Sequence, residues 1–393
     1  MKLYNGEELK LDKDKSENGS KMSFEEITKK YHQGQIRIVT EQARYPLNTI
    51  VGLIDSGNYI LNPGFQRRHR WDPQRKSKLI ESFIINVPIP PVFLYETTYS
   101  KYEVMDGLQR ITAIYEFYND EFALDGLEEW SELNGYKYSE LPEVIRLGID
   151  RRYLSSIILL QETAKNELEA LNMKQLVFER LNSGGVELSD QETRNALYDG
   201  KLNQLCLDLS KNVKFRKLFS IPANVDKKEG ITGNVLYDKM EDVELVLRFF
   251  AFRQIEKWMS RYIKKFLSEY LILGNDFPDE VLDNLEIIFN ETIDIIYNVM
   301  GESAFRLWKA SRGDKELKQV SKPTKVLYDP FMLAFCQYID QKDKIYENKR
   351  KIYGEIKKVF AESPTLFISR FNKSDIIRRR DAIKKAIDKV VGE

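Results

Sequence analysis

The feature that most constrains the fold of this chain is the helical spacing of its apolar residues from about residue 200 onwards. Three stretches show it most clearly: "MEDVELVLRFFAFRQIEKWM", "VLDNLEIIFNETIDIIYNVM" and "DIIRRRDAIKKAIDKVV". Apolar side chains three and four residues apart fall on one face of an α-helix, where they can pack against other helices. The pattern therefore predicts an all-helical domain over residues 201–393.

The first half of the chain has a mixed pattern. Short apolar runs rich in β-branched residues, such as "VFLYE", "YEVM" and "YLSSIILL", alternate with helical stretches and indicate a small number of strands. Asp72-Pro73 and the pair Ser189 and Glu192 are typical helix starts. Residues 1–22 are charged and poor in apolar residues, so we expect them to be mobile. The chain is thus predicted to be α+β, with a mixed domain over residues 23–200.

Composition narrows the classes of function. The 61 basic and 61 acidic residues give a formal charge of zero, so a nucleic-acid surface would have to come from local clustering. Two cysteines and two histidines are too few for a disulfide framework or a histidine-rich zinc site. The sequence has no apolar run of membrane-spanning length and begins with a polar segment, so we expect a cytoplasmic protein with no membrane partner.

The stretch "YEVMDGLQR" places four chemically informative residues where a strand pattern gives way to a helix. They are Asp106, Gly107, Gln109 and Arg110. Free N–H groups at a helix start favour anions, and a carboxylate beside them can hold a divalent cation or orient a water molecule. Asp-Gly is also ordinary turn chemistry, so these five residues alone leave both interpretations open.

Basic residues cluster in "NPGFQRRHRWDPQRKSK". The cluster comprises Arg67, Arg68, Arg70, Arg75 and Lys78, with Trp71 among them. Such a cluster can bind phosphate and stack on bases, or it can be a solvated entry to a helix. The same two interpretations apply to Arg378 and Arg379 near the C-terminus. Asn182 and Gly185, in "FERLNSGGVELSDQE", indicate either a ligand-binding loop rich in N–H groups or an ordinary helix end.

In their order along the chain, these stretches resemble the GmrSD-type restriction-system family. The resemblance covers roughly residues 45–255 and includes "KMEDVELVLRF" as a fourth motif, with Glu244 and Arg248. The hallmark of that family is a D-G-Q-Q-R motif on a ParB/sulfiredoxin-like core. Here Leu108 replaces the first glutamine of that motif.

The resemblance implies roles for residues of this chain. Asp106, Gln109 and Arg110 would be catalytic in hydrolysis of a nucleoside triphosphate, GTP or ATP with Mg²⁺, and Asp106 would be the metal ligand. Nucleotide binding would use a second set, which comprises Arg67, Trp71, Gly107, Asn182 and Gly185. DNA, possibly modified, would be bound by a third set, which comprises Arg68, Arg70, Arg75, Lys78, Arg378 and Arg379.

We therefore predict a DNA-defence protein that acts as a nucleoside triphosphatase. Histidine is absent after His69, so we expect no HNH nuclease domain and assign any DNA cutting to a separate nuclease or effector protein. One rival interpretation is a metal-dependent DNA nuclease that uses Asp106 with a second carboxylate such as Glu103. Another is a DNA- or protein-binding module without catalysis, which the Leu108 replacement favours.

Overall fold

The chain forms two compact units in the computed structural model. The structure describes residues 3–8, 23–32, 39–61, 71–160, 167–182, 188–223, 225, 232–258, 262–310, 317–367 and 372–392. One unit, here called the sheet unit, comprises residues 17–197 and 228–232. The other, the helical unit, comprises residues 1–16, 198–227 and 233–393.

The sheet unit contains five strands and seven helices among its described residues. In chain order these are α1 (Phe24–His32), β1 (Thr40–Pro46), α2 (Leu47–Asp55), β2 (Tyr59–Ile60), α3 (Pro73–Ile84), β3 (Val92–Thr98), β4 (Lys101–Asp106), α4 (Leu108–Tyr118), α5 (Glu143–Asp150), β5 (Tyr153–Leu159), α6 (Glu167–Asn182) and α7 (Asp190–Leu197). The strands form one sheet in the order β1-β5-β3-β4-β2. Strand β3 is antiparallel to β4, whereas β2 runs parallel to β4 and β5 runs parallel to β3.

The core of the sheet unit lies between one face of the sheet and the helices packed on it. Its fully or almost fully buried members include Val92, Leu94, Val104, Ile114 and Phe117. Burial of these side chains on α4 and on the two central strands fixes the position of the β4–α4 connection. The predicted α+β fold is confirmed.

Two of the helix starts predicted from sequence have the expected hydrogen bonds. Asp72 accepts from the backbone N–H of Arg75 at 2.7 Å, and Pro73 is the first residue of α3. Before α7, the Ser189 hydroxyl accepts from the N–H of Glu192, and the Glu192 carboxylate accepts from the N–H of Ser189. Both arrangements satisfy backbone donors that a helix leaves free at its first turn.

The helical unit contains ten helices and one hairpin among its described residues. They are α8 (Lys201–Leu209), α9 (Val213–Leu218), α10 (Val235–Asp238), α11 (Glu241–Arg253), α12 (Ile263–Gly274), α13 (Asp279–Met300), β6 (Arg306–Ala310), β7 (Leu317–Pro323), α14 (Lys325–Phe335), α15 (Lys342–Glu347), α16 (Lys349–Glu362) and α17 (Lys373–Val391). The antiparallel β6–β7 hairpin is a departure from the predicted all-helical pattern. Both strands are short and rich in lysine, so they lack the apolar alternation by which strands are recognised.

Residues 3–8 pack in the helical unit, although they lie within the stretch expected to be mobile. Glu7 is completely buried and forms an ion pair with Arg253 at 2.5 Å. The Gln254 side-chain amide donates to the backbone carbonyl of Glu7 at 2.7 Å. The buried ion pair, together with the Tyr4 ring 5.1 Å from the Arg253 guanidinium, holds this short segment in the unit.

Among the residues that the structure describes, no helix combines the length and the apolar character that crossing a membrane requires.

Candidate functional site

The corner between β4 and α4 requires glycine at position 107 for two reasons. Gly107 has φ +92°, a left-handed conformation that side-chain-bearing residues rarely adopt. A Cβ atom at this position would lie 2.4 Å from Cγ1 of the buried Val92. The glycine therefore lets β4 pass close to β3 and turn directly into α4, which begins one residue after it.

An irregularity in the pairing of β3 with β4 directs Asp106. Phe93 pairs with Asp106, but the next residue, Leu94, pairs with Val104, so Met105 is an extra residue on β4. Side chains of paired residues point to the same face of a sheet. Asp106 is thus placed on the face of Phe93, away from the core face that Leu94 and Val104 share. Such bulges re-aim side chains and are frequent beside active sites.

Arg110 fixes the Asp106 carboxylate. Its guanidinium donates to Asp106 Oδ2 at 2.8 Å, and its other terminal nitrogen donates to the carbonyl of Pro90 and, at 3.3 Å, to that of Pro91. The Arg110 side chain is 14% exposed, whereas that of Asp106 is 45% exposed. Burial lowers the pKa of Arg110, and the Asp106 carboxylate opposes this shift. The Arg110 guanidinium, fixed by its hydrogen bonds, and the half-exposed Asp106 carboxylate therefore lie side by side at the start of α4.

Gln109 connects this corner to the predicted basic motif. Its side-chain Oε1 accepts a hydrogen bond from the backbone N–H of Trp71 at 3.0 Å. The Arg75 guanidinium lies 4.9 Å from the centre of the Trp71 ring, a cation–π contact. Strand β2 runs parallel to β4, so residue 61 leaves the sheet in the direction of the Asp106 end. Both flanks of residues 62–70 are therefore directed to the corner.

Glu103 does not supply a second free carboxylate. It is 8% exposed and pairs with Lys174 of α6, with 2.5 Å between Oε2 and Nζ. Lys174 also lies 5.7 Å from the ring centre of Tyr95, the strand partner of Glu103. Glu103 and Asp106 lie opposite Tyr95 and Phe93 and therefore on the same face of the sheet, but the Glu103 carboxylate already forms a buried ion pair with Lys174. The nuclease hypothesis that pairs these two carboxylates is not supported by the structure.

The other predicted site residues of the sheet unit have varied positions. Leu108 packs against the core cluster. Arg75 is exposed, and Lys78 is exposed and paired with Glu128 at 2.7 Å. Asn182 is the last residue of α6. The remaining four predicted residues, Arg67, Arg68, Arg70 and Gly185, lie outside the described residues.

Two predicted DNA contacts lie in α17, and one of them needs correction. Arg378 is 67% exposed and forms an ion pair with Asp375. Arg379 is 1% exposed and donates its Nε–H to the carbonyl of Leu366 at 2.8 Å. A buried guanidinium that caps a backbone carbonyl cannot touch a DNA phosphate, so Arg379 is a structural residue. Its periodic position among Ile376 and Ile383 was the signal for burial.

The residues of the predicted fourth motif also have structural contacts. Arg248 is 3% exposed in the helical unit and donates to both carboxylate oxygens of Asp329 on α14, through Nε at 3.0 Å. Glu244 lies 3.9 Å from the same guanidinium and pairs with Lys325 at 3.1 Å. These contacts join α11 to α14 in the core of the helical unit.

The donor set at the corner suits a magnesium ion bound together with phosphate. Among the described residues, no cluster of three or more His, Cys, Asp or Glu side chains forms a protein-only metal site. Mg²⁺ is commonly bound through one or two carboxylates, with water and substrate phosphate completing its octahedral shell. Asp106, with one oxygen on Arg110 and its side chain half exposed, provides one such carboxylate.

Sequence reasoning predicted Asp106, Gln109 and Arg110 as site residues but did not predict the groups that contact them. Lys174 was overlooked because nothing in the spacing of α6 links it to β4. Pro90 and Pro91 contribute backbone carbonyl acceptors to Arg110, a role that the identity of these residues does not indicate in the sequence. The extra residue Met105 cannot be recognised in the sequence, because "YEVMD" has no regular alternation of apolar and polar residues that a bulge would interrupt.

A comparison with family models places residues 47–198 in a known family. These residues match the family described as GmrSD restriction endonuclease, N-terminal domain. The match confirms the resemblance for the sheet unit, and it ends before Glu244 and Arg248. No curated protein matches the chain, and no solved structure does.

Proposed function

Since residues 47–198 match the N-terminal domain of GmrSD restriction endonucleases, we propose that this chain acts in restriction-type defence against DNA. In this proposal the Asp106 corner binds and hydrolyses a nucleoside triphosphate with Mg²⁺, and basic surfaces contact DNA. The observation that carries the proposal is the half-exposed Asp106 carboxylate, aimed by the extra residue Met105 and held by Arg110. The corner lies within the matched residues.

Arg110 is suited to bind a phosphate oxygen beside Asp106. A guanidinium has five N–H donors, and the contacts to Asp106, Pro90 and Pro91 use three. Because these contacts fix the plane of the guanidinium, little side-chain entropy is lost when a phosphate binds. The backbone N–H groups of Leu108 and Gln109 precede the first hydrogen bond of α4 and favour the same anion.

Hydrolysis at this corner would assign a separate role to each side chain. Asp106 would hold the cation or orient the attacking water. The water oxygen bonds to the γ-phosphorus, the bond from that phosphorus to the β–γ bridging oxygen breaks, and the products are the diphosphate, inorganic phosphate and a proton. Bound Mg²⁺ would neutralise charge on the phosphate oxygens. Arg110 and Arg67 would stabilise the charge of the transition state, and Gln109 would position Trp71 through its hydrogen bond.

The basic entry to α3 is proposed to contact the nucleotide or the DNA. Residues 62–70 connect β2 to Trp71, and both flanks are directed to the Asp106 corner. Arg67, Arg68 and Arg70 belong to this connection in the sequence. Arg75 is exposed and stacks on Trp71, whereas Lys78 is already paired with Glu128, so Arg75 is the stronger candidate for a DNA contact.

A nucleotide-binding screen on the purified full chain tests the proposal. Mg²⁺ with GTP, ATP, CTP or UTP is added, and binding and phosphate release are both measured. We expect one or more nucleotides to bind, release of phosphate that stops when EDTA removes Mg²⁺, and loss of this activity in Asp106→Asn. Arg151→Asn, which changes an exposed residue at the end of α5, is the control and should behave like the wild type.

Each alternative function predicts a different result when the same samples are also given plasmid DNA. A nuclease would nick plasmid DNA with Mg²⁺ and no nucleotide. A binding module without catalysis, which the apolar Leu108 favours, would bind DNA or protein but release no phosphate with any nucleotide. Absence of both nucleotide binding and phosphate release would contradict the proposed triphosphatase.

A further inference from the structure

The helical unit has an exposed basic face that the Asp106 corner does not use. It is formed by α16 and α17, and we call it the α16–α17 basic face, defined by Arg350, Lys351, Lys358, Lys385 and Lys389. All five residues are exposed. The buried side of α16, with Ile352, Ile356 and Phe360, packs in the unit, so the cations lie on the opposite side.

Cations outnumber carboxylates on this face. Glu355 lies between the helices and pairs with both Lys358 and Lys389, the latter at 2.7 Å. Within the described residues, Arg350, Lys351 and Lys385 form no ion pair. Other exposed lysines of the same unit do have carboxylate partners, for example Lys201 with Asp279 at 2.6 Å. The face therefore carries a net positive charge, although the formal charge of the whole chain is zero.

The shape of the face suits an extended polyanion. Lys351 and Lys358 are seven residues apart on α16, which places them about 10 Å apart along one side of the helix. Gly354 lies between them, and a Cβ atom there would have no neighbour within 4 Å, so the space above the helix is open. On α17, Lys385 and Lys389 are exposed one turn apart and extend the basic face to the second helix.

Aromatic side chains border the same helix. Lys357 of α16 lies 4.8 Å from the ring centre of Trp308 on β6, and Trp308 contacts Tyr353 edge to face at 6.2 Å. Both rings are partly exposed. Lysines that alternate with aromatic rings are typical of surfaces that contact nucleic acids.

We infer that the α16–α17 basic face binds the phosphate backbone of duplex DNA. The inference rests on the DNA contact in the proposed function and assigns it to a surface outside the matched family domain. DNA carries a negative charge about every 1.7 Å of its length, so an extended surface on which cations outnumber carboxylates suits DNA better than it suits a compact anion. Binding here needs no nucleotide at Asp106 and no particular base sequence.

The test compares two triple variants of the full chain that remove the same charge. The first changes Arg350, Lys351 and Lys385 to Gln, the three cations of the face that form no ion pair among the described residues. The control changes Lys201, Lys211 and Lys342 to Gln, since these are exposed lysines of the same unit that are paired with carboxylates. Binding of a fluorescent DNA duplex is measured by anisotropy over a series of KCl concentrations, and thermal unfolding verifies that each variant is folded.

We expect the first variant to bind DNA at least tenfold more weakly at low salt. The slope of log K against log salt should become shallower by about 2 to 3, since each lost phosphate contact contributes about 0.9. The control should keep the wild-type affinity and slope. Unchanged affinity and slope in the first variant would overturn the inference, and so would equal losses in both variants.

Other outcomes separate this inference from the proposed function. If the wild type binds nucleotide but no duplex, both the basic face and the proposed DNA contact are wrong, while the triphosphatase stands. If the face prefers polyglutamate or phosphatidylserine vesicles to DNA, the inference is overturned. If DNA binding is lost in the first variant but nucleotide binding fails even in the wild type, the inference stands and the proposed triphosphatase fails.

Discussion

At the scale of single residues, Gly107 sets the geometry of the corner. Gly107→Ala adds a Cβ atom that meets Val92 and forces alanine into φ +92°. We expect it to lower the free energy of unfolding by more than about 1–3 kcal/mol, the range for backbone strain alone. Urea denaturation followed by circular dichroism measures the change.

Gly135→Ala is the matched control for this prediction. Gly135 has φ +89°, almost the same as Gly107, but a Cβ atom there would have no neighbour within 4 Å. It should therefore show the strain of the left-handed backbone without the clash. Equal destabilisation by the two substitutions would show that close contact with Val92 has no effect at the corner.

Arg110 tests whether the fixed guanidinium, and not charge alone, matters for phosphate. Arg110→Lys keeps the positive charge but cannot reach Asp106 and the two proline carbonyls together. We expect nucleotide affinity to fall at least tenfold, as measured by calorimetry, with the Arg151→Lys variant unchanged. If Arg110→Lys retains the wild-type nucleotide affinity, the positive charge of Arg110 matters and the fixed geometry of its guanidinium does not.

At the scale of secondary-structure elements, the Glu103–Lys174 ion pair joins β4 to α6. Glu103→Ala leaves the Lys174 ammonium buried without this carboxylate, so we expect a loss of about 3–5 kcal/mol in stability. Replacing both residues by methionine should restore much of that loss, because an apolar pair fits the buried position. Urea denaturation of Glu103→Met, Lys174→Met and the double variant gives the coupling energy.

A coupling energy near zero would contradict this role of the pair.

The ion pair also connects two elements of the candidate site, because α6 ends at Asn182, in the third predicted motif, and β4 ends at Asp106.

Several helix starts could be predicted from sequence because they depend on neighbouring residues. Elements that depend on pairing with a distant segment could not. Asp72-Pro73 and the Ser189–Glu192 pair predicted helix starts because a side chain caps the backbone beside it. Strand β1, with "TEQARYP", was not predicted, since it is a mostly exposed edge strand whose pairing to β5 determines it.

The features of the candidate site also fall into two groups, those that depend on residues close in sequence and those that depend on tertiary pairing. Asp106, Gly107 and Arg110 are neighbours in sequence, and the spacing of four residues lets Asp106 and Arg110 meet across the first turn of α4. The bulge at Met105, the link from Gln109 to Trp71 and the pair with Lys174 join distant segments. No local pattern carries that information, because each depends on which strands and helices are adjacent.

At the scale of the whole molecule, the two units divide the proposed functions. The sheet unit holds the Asp106 corner, and the helical unit holds the α16–α17 basic face. The chain has two histidines, His32 and His69, so an HNH site in the helical region, which needs histidine as base and ligand, cannot form. We therefore expect purified chain with Mg²⁺ and nucleotide to leave plasmid DNA intact on agarose gels.

Cutting in cells would then depend on a second protein. Robust plasmid cleavage by the chain alone that is lost in Asp106→Asn would contradict this prediction and favour the nuclease hypothesis. Cleavage that persists in Asp106→Asn would reveal a different nuclease site in this chain or a contaminating enzyme, which activity across a gel-filtration peak distinguishes.

The most direct measurement of the central proposal is phosphate release by Asp106→Asn compared with wild type, per folded molecule. The asparagine keeps a side-chain oxygen that can accept the Arg110 hydrogen bond at this half-exposed position, so the melting temperature should change little. We predict that Mg²⁺-dependent phosphate release falls at least a hundredfold in Asp106→Asn while the melting temperature stays within a few degrees. Wild-type turnover in the folded variant would show that Asp106 is only a turn residue.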